Sequence, residues 1–181
     1  MNKLFLSLFL FPLLSFSQDL STEEQKLYDI IMEYRKKKRL PSIPLSKSLT
    51  FVAQTHSKDL IENKPDLGRY NAHSWSKNGN WTPVKYTGQY HQAKYVWSKP
   101  RELTSYKGNG FEMVCGDNDC CSDFIMTADF MLNRIKNSPA HNDMTINKNM
   151  FKKTKWKAIG ISIKGGFAVV WFGKEEDKEN T

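Results

Sequence analysis

Two histidines and one glutamate are the residues of this chain whose types and settings could do chemistry. His73 lies in the segment YNAHSWS, His141 lies in the segment SPAHN, and Glu112 is the single acid of an apolar run, GFEMV. Two neutral imidazoles and one carboxylate form a sound set of zinc ligands, with water completing the tetrahedron. The three residues come from distant segments, so nothing local preorganises them. We therefore predict that His73, Glu112 and His141 meet in a cleft and bind zinc or another divalent cation weakly.

Two other interpretations of this cleft stay open. In a hydrolase, such as a protease or an esterase, His73, Glu112 and His141 would be the catalytic groups and would activate a water or a nearby serine, Ser74 or Ser138. The sequence has no Gly-x-Ser-x-Gly motif, so this signal of an oriented serine nucleophile is missing. In a purely structural network, Glu112 would instead hydrogen-bond to both histidines and hold three loops together.

The first 17 residues have the pattern of a secretory signal peptide. Lys3 provides a short positive region, residues 4–14 form an apolar stretch too short to cross a bilayer as a mature helix, and small residues follow at 15 and 17. We predict cleavage after Ser17 and export, either to the extracellular space or to the periplasm. The formal net charge of +8 favours weak contact with anionic surfaces, whereas export argues against a nucleic-acid partner.

Three cysteines lie close together in the segment CGDNDCC, which spans residues 115–121. In an oxidising compartment, a small disulfide loop is expected to close from Cys115 to either Cys120 or Cys121, leaving one cysteine over. The spacing does not favour a zinc site, because it is not the usual paired pattern and offers only three ligands.

Apolar periodicity defines the main elements of the chain. A capping box begins a first helix at Ser21, and a second helix carries an apolar stripe that includes His56, which we interpret as a core histidine hydrogen-bonded to backbone. A third helix is predicted to end before Pro139, with a stripe that starts at Ile125. Residues 111–114 resemble a buried strand, and residues 159–172 alternate around Gly-Gly as a hairpin.

The segment between the second helix and the first strand, residues 68–110, is irregular and rich in aromatic residues. Three tryptophans there, Trp75, Trp81 and Trp97, are candidates for a ligand surface that contacts a lipid, a glycan or a protein. The alternative is that most of these rings are buried beneath the loop.

Helices that come first and strands that come late, without alternation between them, indicate an α+β fold. The closing hairpin has apolar residues on both faces, which predicts a sheet covered by helices on both sides. We assign residues 18–174 to one domain and residues 175–181 to a charged flexible tail.

The order of these motifs resembles the CAP superfamily of cysteine-rich secretory proteins, antigen 5 and pathogenesis-related proteins. The segments that carry the resemblance are AQTHSKDL before the His73 loop, GFE at Glu112, NSPAH at His141 and WKAIGI before the hairpin. The resemblance implies a three-layer α-β-α sandwich with a central antiparallel sheet. It also implies an open cleft lined by His73, Glu112 and His141, with Ser138 where many members carry a second glutamate.

The resemblance also bears on function. Proteolysis has been suggested for some members of the superfamily, and others bind lipids, so a sterol or another lipid is among the expected ligands. We expect a monomer that acts by binding rather than by catalysis.

Overall fold

The structure of this protein is a computed structural model, which describes residues 20–116, 118 and 124–180. The predicted signal peptide, Cys120 and Cys121 lie outside the described residues. The helices are α1 (Thr22–Lys37), α2 (Lys47–Asn63), α3 (Tyr90–Trp97), α4 (Lys99–Leu103), α5 (Ala128–Asn137) and α6 (Pro139–Thr145). The strands are β1 (Gly110–Cys115), β2 (Ala158–Lys164) and β3 (Phe167–Gly173).

The three strands form an antiparallel sheet in the order β1-β3-β2, so the closing strand of the hairpin is central. Alternate side chains of β3 enter different cores, as the strand period of two requires. Val169 and Trp171 pack with apolar residues of α2, whereas Val170 and Phe172 pack with α1 and α5. Helices therefore cover both faces of the sheet, and the predicted α-β-α sandwich is confirmed.

Helix α2 lies unusually close to the sheet. A β-carbon added at Gly160 of β2 would collide with the backbone of Leu49 and Thr50, so a larger residue at Gly160 would push the helix away. This close packing matters for function because α2 carries His56 on the face that it buries.

The first two helices both begin at a side-chain cap, and the cap of α1 is the one that the sequence predicted. Ser21 and Glu24 form the expected capping box of α1. Helix α2 begins after Ser46, whose hydroxyl accepts a hydrogen bond from the amide of Leu49.

The helix predicted from Ile125 begins later than its apolar stripe indicates. The hydroxyl of Thr127 accepts a hydrogen bond from the amide of Phe130 and so caps α5 at Ala128. Ile125 lies before this cap and is 77% exposed. The apolar stripe therefore placed the start of this helix too early, because its first residue, Ile125, is not helical.

The prediction that residues 68–110 are irregular is wrong for part of that segment, which contains α3 and α4. Neither helix has a side-chain cap hydrogen bond, although Ser98 and Pro100 are helix start signals that the sequence offers for α4. Ala93 and Val96 of α3 are buried, which shows that tertiary packing stabilises this short helix.

Asp177, in the segment predicted to be a charged tail, packs on the domain. The carboxylate of Asp177 is 6% exposed and accepts hydrogen bonds from the hydroxyls of Ser46 (2.6 Å) and Ser48 (2.8 Å) and from the Ser48 amide (2.8 Å). A carboxylate at the start of α2 also complements the helix dipole. Within the described residues, no helix is long and apolar enough to cross a membrane.

Candidate functional site

Glu112 lies at the centre of the candidate site. It belongs to β1, where it is paired with Trp171 of β3, and only 7% of the residue is exposed. One carboxylate oxygen accepts from Nδ1 of His56 at 2.5 Å, and the other accepts from Nδ1 of His73 at 2.8 Å. The carboxylate therefore joins the sheet to α2 and to the loop that carries His73.

Burial by itself would raise the pKa of Glu112, but the neighbouring imidazoles of His56 and His73 overcome it and lower the pKa from 4.5 to about 2. The carboxylate is therefore ionised near neutral pH and can only accept hydrogen bonds. Because both Nδ1 atoms face this acceptor, both must carry a hydrogen.

His56 is fully buried, and its two ring nitrogens both face acceptors. Nε2 lies 3.0 Å from the carbonyl oxygen of Ser74, which accepts and cannot donate. His56 is thus hydrogen-bonded to backbone in the core, as predicted, but it also holds Glu112. Its ring stacks on Trp75, with centroids 4.1 Å apart and planes 10° apart.

His73 presents a free nitrogen to the cleft. Its amide donates to the side-chain oxygen of Asn71 (3.0 Å), which fixes the turn, and its Nδ1 is committed to Glu112. In the neutral form of the ring the lone pair then resides on Nε2. The side chain is 26% exposed, so a ligand can reach it.

His141 lies in the first turn of α6, where Pro139 occupies a position that favours helix initiation, and its place in the cleft stays a prediction. Burial, followed by the charges of His73 and Arg134, lowers the pKa of His141 from 6.5 to about 4. The ring is therefore neutral at physiological pH. Among the described residues it has no hydrogen-bond partner, so its nitrogens are free for a ligand.

Both oxygens of Glu112 accept hydrogen bonds from imidazoles. Within the described residues no three His, Cys, Asp or Glu side chains are grouped so that they could hold a metal ion. The binding of a metal by His73, Glu112 and His141 stays a prediction. Glu112 is placed behind His73 as the carboxylate behind a metal-binding histidine often is.

The two candidate serines differ in their surroundings. Ser74 is fully buried, and its hydroxyl accepts a hydrogen bond from the amide of Tyr86 at 3.0 Å, so it cannot act as a nucleophile. Ser138 is half-buried at the junction of α5 and α6, next to His141 in the chain, and makes no capping hydrogen bond with its side chain. Its place in the cleft stays a prediction.

Trp75 is not part of a ligand surface. It is 1% exposed because the loop folds back and pairs Trp75 with Val84 in an antiparallel bridge. The buried ammonium group of Lys99 lies 5.3 Å from its ring, and Trp81 packs edge-on against it at 5.3 Å. Trp75 is therefore buried beneath the loop, which was the alternative to a ligand surface, whereas Trp81 is half-buried.

A small cavity of about 110 Å³ opens beside the cleft residues, and Trp97 lines it together with His73, Glu112 and Tyr90. Aromatic rings extend from this cavity as a strip, Tyr90–Trp97–Phe111–Phe151, with successive centroids 5.8, 5.5 and 6.2 Å apart. Tyr90 is 79% exposed and was not predicted as a site residue. Its spacing of seven residues from Trp97 on one helix face is a signal that could have identified it.

Cys115 is half-buried, and burial raises the pKa of its thiol. Its predicted disulfide partners, Cys120 and Cys121, lie outside the described residues, so the pairing stays a prediction.

Comparisons with known proteins agree with this architecture. The family model described as the cysteine-rich secretory protein family, CAP, matches residues 28–170. No curated protein matches the chain.

Three solved bacterial structures share the fold. An extracellular protein of Bacillus anthracis that contains an SCP domain has a TM-score of 0.56 and 16% identity, covering 84% of this chain and 40% of that one. An outer surface protein of Borrelia burgdorferi has a TM-score of 0.54 and 20% identity, covering 84% of this chain and 92% of that one. A cysteine-rich secretory protein of Staphylococcus aureus has a TM-score of 0.53 and 16% identity, covering 88% of this chain and 40% of that one. This chain therefore spans less than half of the Bacillus and Staphylococcus proteins.

Proposed function

Because this chain belongs to the cysteine-rich secretory protein family, we propose that it is an exported protein that works by binding. In this proposal, His73 and His141 together hold a divalent metal ion, with zinc the expected one. The aromatic strip beside them contacts the partner.

The observation that carries this proposal is the hydrogen bond from His73 Nδ1 to the buried carboxylate of Glu112. A carboxylate behind a histidine fixes the tautomer, orients the ring and makes its other nitrogen a better metal ligand. His141 would supply the second imidazole, which burial keeps neutral at physiological pH. When bound, the metal would polarise a ligand oxygen, and the protein would supply its orientation.

Two histidine ligands make a weak site. Structural zinc sites have four protein ligands, and catalytic zinc sites usually have three. The remaining positions on the metal would be filled by water or by the partner, so the metal would join protein and ligand.

Calorimetric titration of zinc into chelator-treated protein tests this proposal. We expect one site with a dissociation constant of about micromolar. Zinc binding should be lost in both His73→Ala and His141→Ala, because either substitution leaves a single protein ligand. His91→Ala is the matched control, because His91 is exposed on α3 and does not line the cavity that His73 and Glu112 line. Equal binding by all four proteins, or none by the wild type, would contradict the two-histidine site.

A second candidate role for the cleft is purely structural, and the engagement of both Glu112 oxygens favours it. His56 and His73 satisfy the buried carboxylate without any metal. A fully satisfied buried network rigidifies the elements that it joins. In that case the cleft would hold the His73 loop in place, and partner binding would rest on the aromatic strip alone.

The partner proposed for the strip is apolar: a lipid, a sterol or an apolar protein segment. Tyr90, Trp97 and Phe111 offer ring faces and edges that favour such contacts. The hydrolase alternative has less support, because Ser74 is buried and Glu112 is already hydrogen-bonded through both oxygens. It would need a metal-bound water as its nucleophile.

A further inference from the structure

A second and larger cavity, of about 540 Å³, lies along the outer face of α2. It is an open groove whose volume falls within the range of small-molecule pockets, about 300–1,000 Å³. Neither His73 nor His141 lines it. The groove is therefore distinct from the cleft, and its ligand does not depend on a metal.

One wall of the groove, the loop of residues 76–81, is fastened to α2. The carboxylate of Asp59 accepts from the Ser76 amide at 2.8 Å and from the Ser76 hydroxyl at 2.5 Å. The side-chain amide of Asn78 donates to Asn63 at 2.8 Å, and Trp81 Nε1 donates to the Ser76 carbonyl at 2.8 Å. Because the wall is already ordered, a ligand would not have to order it on binding.

Two aromatic rings line the groove. Phe51 lies on the outer face of α2 and is 40% exposed. Trp81 is held edge-on against Trp75, and the backbone of Gly79 lies so close to its ring that a β-carbon there would collide with it. These rings give the groove apolar surface of fixed orientation, which suits the C–H face of a sugar ring.

Uncommitted polar side chains lie beside these rings. Gln54 and Thr55 line the groove, and in the described part of the chain neither side chain has a hydrogen-bond partner. An amide and a hydroxyl can each donate and accept. This capacity matches a ligand whose own groups are hydroxyls and amides.

The charges of the groove cancel. Lys58 and Lys164 are balanced by Asp59 and Glu62, although the whole chain has a formal net charge of +8. A groove built for a polyanion would show the basic excess of the rest of the molecule. Its charge balance therefore favours a neutral ligand.

We propose that the groove between α2 and residues 76–81 binds a neutral oligosaccharide. A lipid chain fits less well, because the charged residues interrupt the apolar lining. An extended peptide fits less well too, because the backbone of α2 is engaged within its own helix and offers no strand edge for pairing.

Titration with two neutral trisaccharides, chitotriose and cellotriose, tests this proposal by calorimetry and by saturation-transfer NMR. We expect at least one to bind with a millimolar or tighter dissociation constant. Phe51→Ala and Gln54→Ala should each weaken that binding roughly fivefold or more, by removing a ring or an amide from the groove. Phe130→Ala is the matched control, since Phe130 is 39% exposed on α5 and lies outside the groove.

Two further measurements keep the result interpretable. The unfolding transitions of Phe51→Ala and Gln54→Ala should match that of the wild type, because both side chains lie on the outer face of α2. Their zinc titrations should also be unchanged, so that failure of the groove and failure of the metal site are separate results. Absence of binding by both trisaccharides would overturn the proposal. An equal loss of trisaccharide binding in Phe130→Ala would also overturn it. So would a neutral extended peptide that binds at Phe51 and Gln54 more tightly than either trisaccharide.

Discussion

At the scale of single residues, Glu112 shows what a sequence reveals and what it hides. Its position in an apolar run marked it as a candidate site residue. We predicted that it binds a metal because a carboxylate and two imidazoles suit zinc. The structure changes its role because His56, which we predicted to bond only to backbone, takes one of its oxygens. A buried imidazole needs two partners, and the sequence does not say which residues they are.

His141 makes stability depend on pH in a defined window. Its folded-state pKa is lowered from 6.5 to about 4, so the neutral ring is favoured by folding. This contribution is fully present above pH 6.5 and is lost as the pH falls towards 4. Glu112 titrates lower, between 4.5 and about 2, so its effect falls in a more acidic range.

We therefore expect the free energy of unfolding of the wild type to fall between pH 6.5 and pH 4.5, and to fall less steeply in His141→Gln. Urea unfolding at several pH values measures this difference. His91→Gln provides the control, because His91 is exposed. The same slope in wild type and His141→Gln would show that His141 does not carry the effect.

At the scale of elements, the strongest periodic patterns predicted the fold correctly. Ser21 and Glu24 located the start of α1, and the alternation on either side of Gly165 and Gly166 located the hairpin. Helices α3 and α4 were missed because they are short, with 8 and 5 residues, and so carry little apolar periodicity. Their burial against distant residues, which no local pattern encodes, decides that they are helices.

Glu112 also acts at this scale, because it ties β1 to α2 and to the His73 loop. Glu112→Ala should lower the free energy of unfolding by about 3 kcal/mol, since it leaves the buried Nδ1–H of His56 without its partner. Urea unfolding with chelator and with zinc measures the loss. If the network is structural, the loss is the same in both conditions.

Glu62→Ala is the control for that experiment. Glu62 is exposed, and in the described part of the chain its one ion pair is with Lys58 at 3.9 Å, so its removal should cost no more than about 0.5 kcal/mol. An unchanged unfolding free energy of Glu112→Ala in chelator would argue against the network and in favour of a carboxylate that matters only when metal is bound.

At the scale of the whole molecule, packed rings connect the hydrogen-bond network of Glu112 to the groove. Trp75 stacks on His56, which holds Glu112, and Trp81 packs edge-on against Trp75 while lining the groove. The sequence offered Trp75, Trp81 and Trp97 as one ligand surface. In the structure these residues are separate: Trp75 is buried, Trp81 lines the groove, and Trp97 lines the small cavity beside Glu112. They are separate because the loop folds back on α2.

The sequence therefore predicted the layers of the fold, but not the contacts of the candidate site residues. His73, Glu112 and His141 were recognisable from local motifs, whereas the hydrogen bond between Glu112 and His56 spans 56 positions. Such contacts are set by how α2 packs on the sheet, where Gly160 allows the helix to approach. Only the three-dimensional structure shows that packing.

The most direct test of the two-histidine site is a crystal of the protein soaked in zinc and measured at the zinc absorption edge. The account predicts one anomalous peak, within bonding distance of His73 Nε2 and of a His141 nitrogen. Glu112 should remain hydrogen-bonded to His56 and His73. A zinc ion bound directly to a Glu112 oxygen, or no zinc at these histidines, would contradict it.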